Sequence, residues 1–227
     1  MSVMNWKTIL VCGALALSPL GCDSDENGDE HHDTDDHDHE TDDDDHVHDE
    51  ETELITTVTL TFTSDTADTV TASFRDQDGA GGASGTTDAI TLAANTTYTL
   101  TIQLLNELED EDITEEVQEE AEDHQFLIFG DSVTGPASMG DGLLTHAYAD
   151  VESDYTENAE GEDLPVGIAN TITTSDAGMG ELSVMLRHLP PLNDTPQKVP
   201  GIAEAFAADG TAPGDTDVDV TFDVTVE

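Results

Sequence analysis

Basic residues are almost missing from this chain: Lys7, Arg75, Arg187 and Lys198 stand against 53 Asp and Glu, for a formal net charge of −49. Without a basic patch there is nothing to neutralise phosphate, so nucleic-acid binding is excluded. Cysteine is nearly as scarce, with only Cys12 and Cys22. Both lie in or at the end of an apolar leader, so no disulfide is expected and an exported chain has to rely on a packed core. No apolar run approaches the length of a membrane-spanning helix either.

The leader is the most informative segment present. One basic residue, Lys7, precedes an apolar stretch from Ile9 to Leu17, and Leu17-Ser18-Pro19-Leu20-Gly21-Cys22 follows. This is the composition of an export signal. Small Gly21 before Cys22 suits lipoprotein signal peptidase, whereas Pro19 stands where an aliphatic residue is usual. The expectation is a signal peptide over residues 1–21, removed on export, and a lipidated Cys22. Diacyl plus acyl chains then anchor the protein to the outer membrane, on its periplasmic face or at the cell surface.

Residues 22–53 form the second segment, with 18 acidic residues after Cys22 and almost no apolar side chain apart from Val47. Such a stretch cannot bury enough surface to offset chain entropy, and a disordered tether reaching about 30 Å is expected. Six histidines are interleaved with its carboxylates: His31, His32, His37, His39, His46 and His48. The His-x-His pairs put imidazoles on one side of an extended chain, roughly 6.6 Å apart. Imidazole suits zinc, copper and nickel, whereas carboxylates alone favour calcium or magnesium. Weak, multivalent zinc capture is therefore one expectation for the tether, and a solvating spacer is the other.

Residues 54–227 are long enough for one domain with a real core. The pattern changes at Leu54 to period two: Val58, Leu60 and Phe62 alternate with Thr57, Thr59, Thr61 and Thr63. The same alternation recurs in Val70–Arg75, Tyr98–Leu104, Leu182–Leu186 and Val218–Val226, and weaker strands are expected over Ala89–Leu92, Gln125–Phe129, Leu143–Tyr148 and Ile168–Thr173. An all-β fold is predicted, an antiparallel Ig-like sandwich of eight or nine strands. One capping helix is expected where Ile113, Val117, Ala121 and His124 fall at helical spacing behind an Asp112-x-x-Glu115 capping box. Two long loops remain, Asp150–Val166 and Leu189–Asp215, the latter with a short helix over Ile202–Ala208. The domain holds 35 acidic residues against three basic ones, a surface that attracts cations and suits salty surroundings.

Several words in fixed order carry a resemblance: Glu53-Leu54-Ile55-Thr56-Thr57-Val58, Leu105-Asn106-Glu107, Ile113-Thr114-Glu115-Glu116-Val117, Asp123-His124-Gln125-Phe126, Pro165-Val166-Gly167, and Leu182 to His188. Together they resemble a family of exported bacterial lipoproteins best represented in the Bacteroidetes. The resemblance implies a lipid-anchored all-β domain and, as a partner, an outer-membrane receptor. The type 1 periplasmic-binding label sometimes attached to such proteins requires alternating strands and helices in two lobes, which this pattern lacks.

Three constellations in the domain carry chemistry. His124 follows Glu120 and Glu116 at helical spacing, and His188 ends an apolar strand. If helix end and strand end meet, His124, His188 and Glu120 form a mixed metal site; otherwise the two histidines are structural. Asp76-Gln77-Asp78-Gly79 opens like a calcium loop, but position twelve is Thr87, which excludes an EF-hand and leaves a looser calcium site or a plain turn. Gly130-Asp131-Ser132 matches the opening of an esterase nucleophile block, yet no base and orienter follow it. The sequence thus predicts a monomeric, non-catalytic envelope protein with no certain cofactor, binding zinc and less readily calcium. The alternative is a structural or receptor-associated module without metal.

Overall fold

A computed structural model describes residues 54–79, 85–157 and 161–227. The chain divides into two units, Met1–Val47 and His48–Glu227, and every described residue belongs to the second. The leader, Cys22 and the six tether histidines lie outside the described residues.

The period-two segments become strands because alternate β-branched and aromatic residues place one apolar face on a core. Eight strands form the larger sheet: β1 (Thr57–Thr63), β2 (Val70–Arg75), β3 (Thr86–Thr87), β5 (Thr97–Leu105), β7 (Val133–Gly135), β8 (Ser138–Met139), β9 (Leu144–Tyr148) and β10 (Ala169–Thr174). Their order is β3-β2-β1-β5-β10-β9-β7-β8. The smaller sheet contains β4 (Ile90–Leu92), β6 (His124–Phe129), β11 (Gly178–His188) and β12 (Asp215–Val226), in the order β4-β12-β11-β6. Two helices, α1 (Ile113–Glu119) and α2 (Ile202–Asp209), complete the described elements with one 3₁₀ turn at Glu152–Asp154. No described helix is long and apolar enough to cross a membrane.

Both sheets contribute to one buried cluster, Val58, Leu60 and Phe62 from β1 meeting Val184 and Leu186 from β11 and Val220 and Phe222 from β12. Each such side chain contributes on the order of 1.5–3 kcal/mol through removal from water. Tyr98 joins the cluster edge-on to Phe62, with ring centroids 6.2 Å apart, and its hydroxyl accepts from the Ala93 amide at 2.9 Å. A second cluster sits on the other side of β6, where Leu127 meets Leu189 and Ile202, and Phe129 meets Phe206 of α2. β6 is therefore buried on both faces. This explains why its sequence reads as an apolar run and not as an alternation.

The all-β expectation holds, and the strand ranges agree to within a few residues. The short strands β3, β7 and β8 were not foreseen. Two pairings are parallel, β4 with β12 and β7 with β9, where only antiparallel ones were expected. A second α-helix is present, and it occupies the short stretch anticipated in the long loop.

α1 is shorter than its apolar spacing suggested. Asp112 caps it by accepting from the Thr114 amide at 3.0 Å, not from Glu115, and the helix ends at Glu119. Its last turn carries no basic residue, while Glu115/Glu119 and Glu116/Glu120 are like-charge pairs one turn apart. Both features oppose helix extension. His124 is thus not on the helix; it is the first residue of β6.

The two long loops are pinned. Asp150 accepts from the Gly167 and Ala169 amides at 2.7 and 2.8 Å and from the Tyr155 hydroxyl at 2.8 Å. Lys198, from the second loop, reaches the Ala121 carbonyl at 2.6 Å and Glu152 at 2.8 Å. Leu189 donates to the Asp123 carbonyl at 2.6 Å. These bonds hold the turn between α1 and β6 from two sides, and that turn positions the candidate site.

Candidate metal centre

The helix end and the strand end do meet. His124 and His188 are direct partners in the antiparallel β6/β11 ladder, and directly opposed side chains approach to about 5 Å. Their rings stack with centroids 4.7 Å apart and planes 7° from parallel. Glu120, the residue that closes α1, lies beside them, so that one donor atom from each of Glu120, His124 and His188 falls within 4.8 Å of the others. His124 is wholly buried, His188 half-buried and Glu120 exposed.

A fourth group reaches the same corner. β11 and β12 pair in register up to Leu186/Val218, but Arg187 then pairs with Thr216, leaving Asp217 opposite no residue. This is a β-bulge, a device that re-aims a side chain. Val218 faces the core, so strict alternation would turn Asp217 outward with Asp219 and Thr221. The bulge instead puts Thr216 on the Arg187 face, where the guanidinium donates to its hydroxyl. Asp217 turns inward, with its side chain only 2% exposed and Oδ2 3.9 Å from His124 Nε2. That oxygen makes no hydrogen bond.

Neighbouring groups fix the bulge. Arg187 Nε and Nη2 donate to the Pro213 carbonyl, and Nη2 also reaches the carbonyls of Ala212 and Gly214. Gly214 adopts φ of +70°, and a Cβ there would stand 2.0 Å from the His188 carbonyl oxygen. Only glycine permits the chain to enter β12 this close to His188.

The electrostatics follow from burial. His124 is pushed down to about 4, first by desolvation and then by the neighbouring His188, with a backbone bond to Glu120 pulling partly back. It is neutral at pH 7. The Asp217 carboxyl is raised to about 6, again by desolvation first, while His188 and Arg187 act to lower it. Desolvation also raises Asp123, with Glu120 adding to the effect.

Two imidazoles with carboxylates make a donor set suited to zinc and its neighbours. The lone pairs of the two rings lie in nearly parallel planes and do not converge on one point. One ion can take both only when one ring turns, and the less buried His188 is the freer to do so.

The other expected sites fare differently. Ser132 is fully buried, and its hydroxyl donates to the Glu181 carbonyl at 2.5 Å; a side chain so placed has no access to a substrate. Asp76 is half-buried and Asp78 exposed, and the glycine-rich stretch 80–84 needed to close a calcium loop lies outside the described residues. The zinc ligands expected in the tether and the lipidated Cys22 lie outside them too. The sequence reading missed Asp217, because only the pairing of Arg187 with Thr216 reveals the bulge. No family model, no curated protein and no solved structure matches this chain.

Proposed function

We propose that the protein is a non-catalytic, lipid-anchored domain of the bacterial cell envelope that binds a divalent transition metal, zinc foremost, at the His124–His188 corner. The reading treats the two sheets as an Ig-like sandwich, held to the outer membrane through Cys22 and a flexible acidic tether. The single observation that carries it is the convergence of two histidines and a carboxylate, distant in sequence, within 4.8 Å at one end of the domain. The tether histidines serve as weak accessory ligands that raise the local metal concentration.

A second reading is favoured by the nearly parallel stacking of the two rings, which needs no ion: a structural or receptor-associated module whose histidines pack the end of the core.

Zinc titration by calorimetry separates the two. The chain carrying Cys22→Ser is compared with a form whose six tether histidines are also changed to Ser. The metal reading expects one stoichiometric site to survive the tether changes and to vanish with His124→Ala or His188→Ala. Negligible heat from the tether-substituted form leaves only the structural module. Binding weakens as the pH falls, because protons compete with the metal for its ligands.

A further inference from the structure

Two carboxylates compete for this site, because Glu120 and Asp217 approach His124 from opposite ends of its ring. Glu120 stands on the Nδ1 side: its carbonyl oxygen is 3.2 Å from Nδ1, and its Oε2 is 4.0 Å away. Asp217 stands on the Nε2 side, with Oδ2 at 3.9 Å. One nitrogen cannot serve both.

Elementary hydrogen-bond chemistry decides between them. A carbonyl oxygen only accepts, so the contact with Glu120 requires a proton on Nδ1. A neutral imidazole then presents its lone pair at Nε2, directed toward Asp217. A backbone carbonyl orienting the non-ligating nitrogen is also how histidine ligands are commonly held. The result is a buried lone pair facing a buried carboxylate oxygen that makes no hydrogen bond. Two electron-rich atoms about 4 Å apart in a dry setting repel one another unless a proton or a cation lies between them. Their separation exceeds a hydrogen bond yet is near the span of two ligands on one tetrahedral ion, roughly 3.3 Å for donors about 2.0 Å from the metal.

The β-bulge supplies the second observation. Ordinary alternation would have left the Asp217 side chain on the exposed face, with Asp219 and Asp223. A distortion that buries a carboxylate is destabilising by itself, and such costs persist where they serve a site.

From this geometry we infer that the metal sits on the Nε2 side of His124, held by His124 Nε2 and Asp217 Oδ2 and by His188 once its stacked ring turns toward them, with Glu120 as a positioning residue that orients the His124 ring through its backbone carbonyl. The inference rests on the metal-binding reading above and names which carboxylate carries it. Two imidazoles and one buried carboxylate leave a fourth tetrahedral position for water or an external anion.

The test measures zinc affinity by competition with a chromophoric chelator, in the chain carrying Cys22→Ser and Ser at the six tether histidines. Asp217→Asn keeps the shape and removes the charge, and is expected to weaken zinc at least about 100-fold, more than the roughly 10- to 100-fold cost of losing an outer-shell partner. Its melting temperature without metal should stay equal or rise, which a merely structural carboxylate would not produce. Glu120→Gln, which leaves the backbone carbonyl in place, is expected to stay within about threefold of the parent. Asp217→Glu, retaining a carboxylate, should recover part of the loss. Retained affinity in Asp217→Asn with loss in Glu120→Gln overturns the assignment and leaves the metal reading standing on Glu120. Equal loss in both overturns it as well, since Glu120 would then be a ligand. Absence of any site dependent on His124 and His188 removes the reading and the inference together.

Discussion

Lys198 Nζ lies 2.8 Å from Glu152 Oε1, and both side chains are almost fully buried, at 2% and 4% exposure. In a chain with so few cations, one is withdrawn from solvent to join the two long loops. The same ammonium donates to the Ala121 carbonyl, in the turn that delivers His124 to the head of β6. Its charge is disfavoured foremost by desolvation, and Glu152 pulls it back toward its ordinary value.

Breaking that pair leaves a buried carboxylate unpaired. Lys198→Ala should lower stability by about 3–5 kcal/mol in urea denaturation. Lys198→Met combined with Glu152→Gln should recover at least half of that loss, because the amide oxygen still accepts from the Leu164 backbone, as Glu152 Oε2 does. Equal losses in single and double variants would contradict the account of the pair.

Gly214 sits where the chain brushes the His188 carbonyl. Gly214→Ala meets both the left-handed conformation and the clash, and should cost roughly 2–4 kcal/mol. Chemical denaturation checks this directly. Because the same residue sets the entry to the Asp217 bulge, the variant should also bind zinc more weakly than its loss of stability alone explains.

A pH effect follows from His146. Burial holds this imidazole below its ordinary 6.5, with its bond to Asn170 at 2.9 Å pulling partly back. The unfolded chain takes up a proton near pH 6.5 while the folded one resists. The group's contribution is therefore intact above about 6.5 and is lost as pH falls from there toward the depressed folded value. The stability difference between parent and His146→Gln should shrink between pH 7.5 and pH 5. Relief of acidic self-repulsion is common to both proteins and cancels in the difference.

The acidic end of α1 predicts a gain. Glu119 is exposed in the last turn, at the negative end of the helix dipole and four residues after Glu115. Glu119→Lys reverses both unfavourable interactions and should stabilise the protein by about 0.5–1 kcal/mol at low salt, falling toward zero at 1 M sodium chloride. An unchanged melting temperature at low salt would show that the short helix has another cause.

Much of this fold was legible in the alternation of apolar and polar residues. Thr57–Thr63, Thr97–Leu105 and Asp215–Val226 announce themselves because one face of each is buried and the other is not. The meeting of His124 with His188 was legible as a possibility, since each closes an apolar face at an element's end. Their pairing depends on the β6/β11 register, which local pattern does not encode. His124 was placed on a helix because Ile113, Val117 and Ala121 share its spacing; the helix stops earlier, since a run of like charges adds repulsion with each turn. Asp217 was hidden for a different reason. A bulge inverts the facing of one residue and is set by the nearby Gly214 together with Arg187 and the strand opposite, which are distant in sequence. The parallel pairings of β4 and β7 and the burial of Lys198 are likewise products of long-range packing.

The proposed function requires a metal at the His124–His188 corner, and X-ray absorption at the zinc edge detects it there. The chain carrying Cys22→Ser and Ser at its six tether histidines is loaded with one equivalent of zinc and dialysed. Retained metal is expected, with imidazole nitrogens from two histidines at about 2.0–2.1 Å and a carboxylate oxygen at about 2.0–2.2 Å. Metal lost on dialysis, or a shell of oxygen alone that is unchanged by His124→Ala, would contradict it.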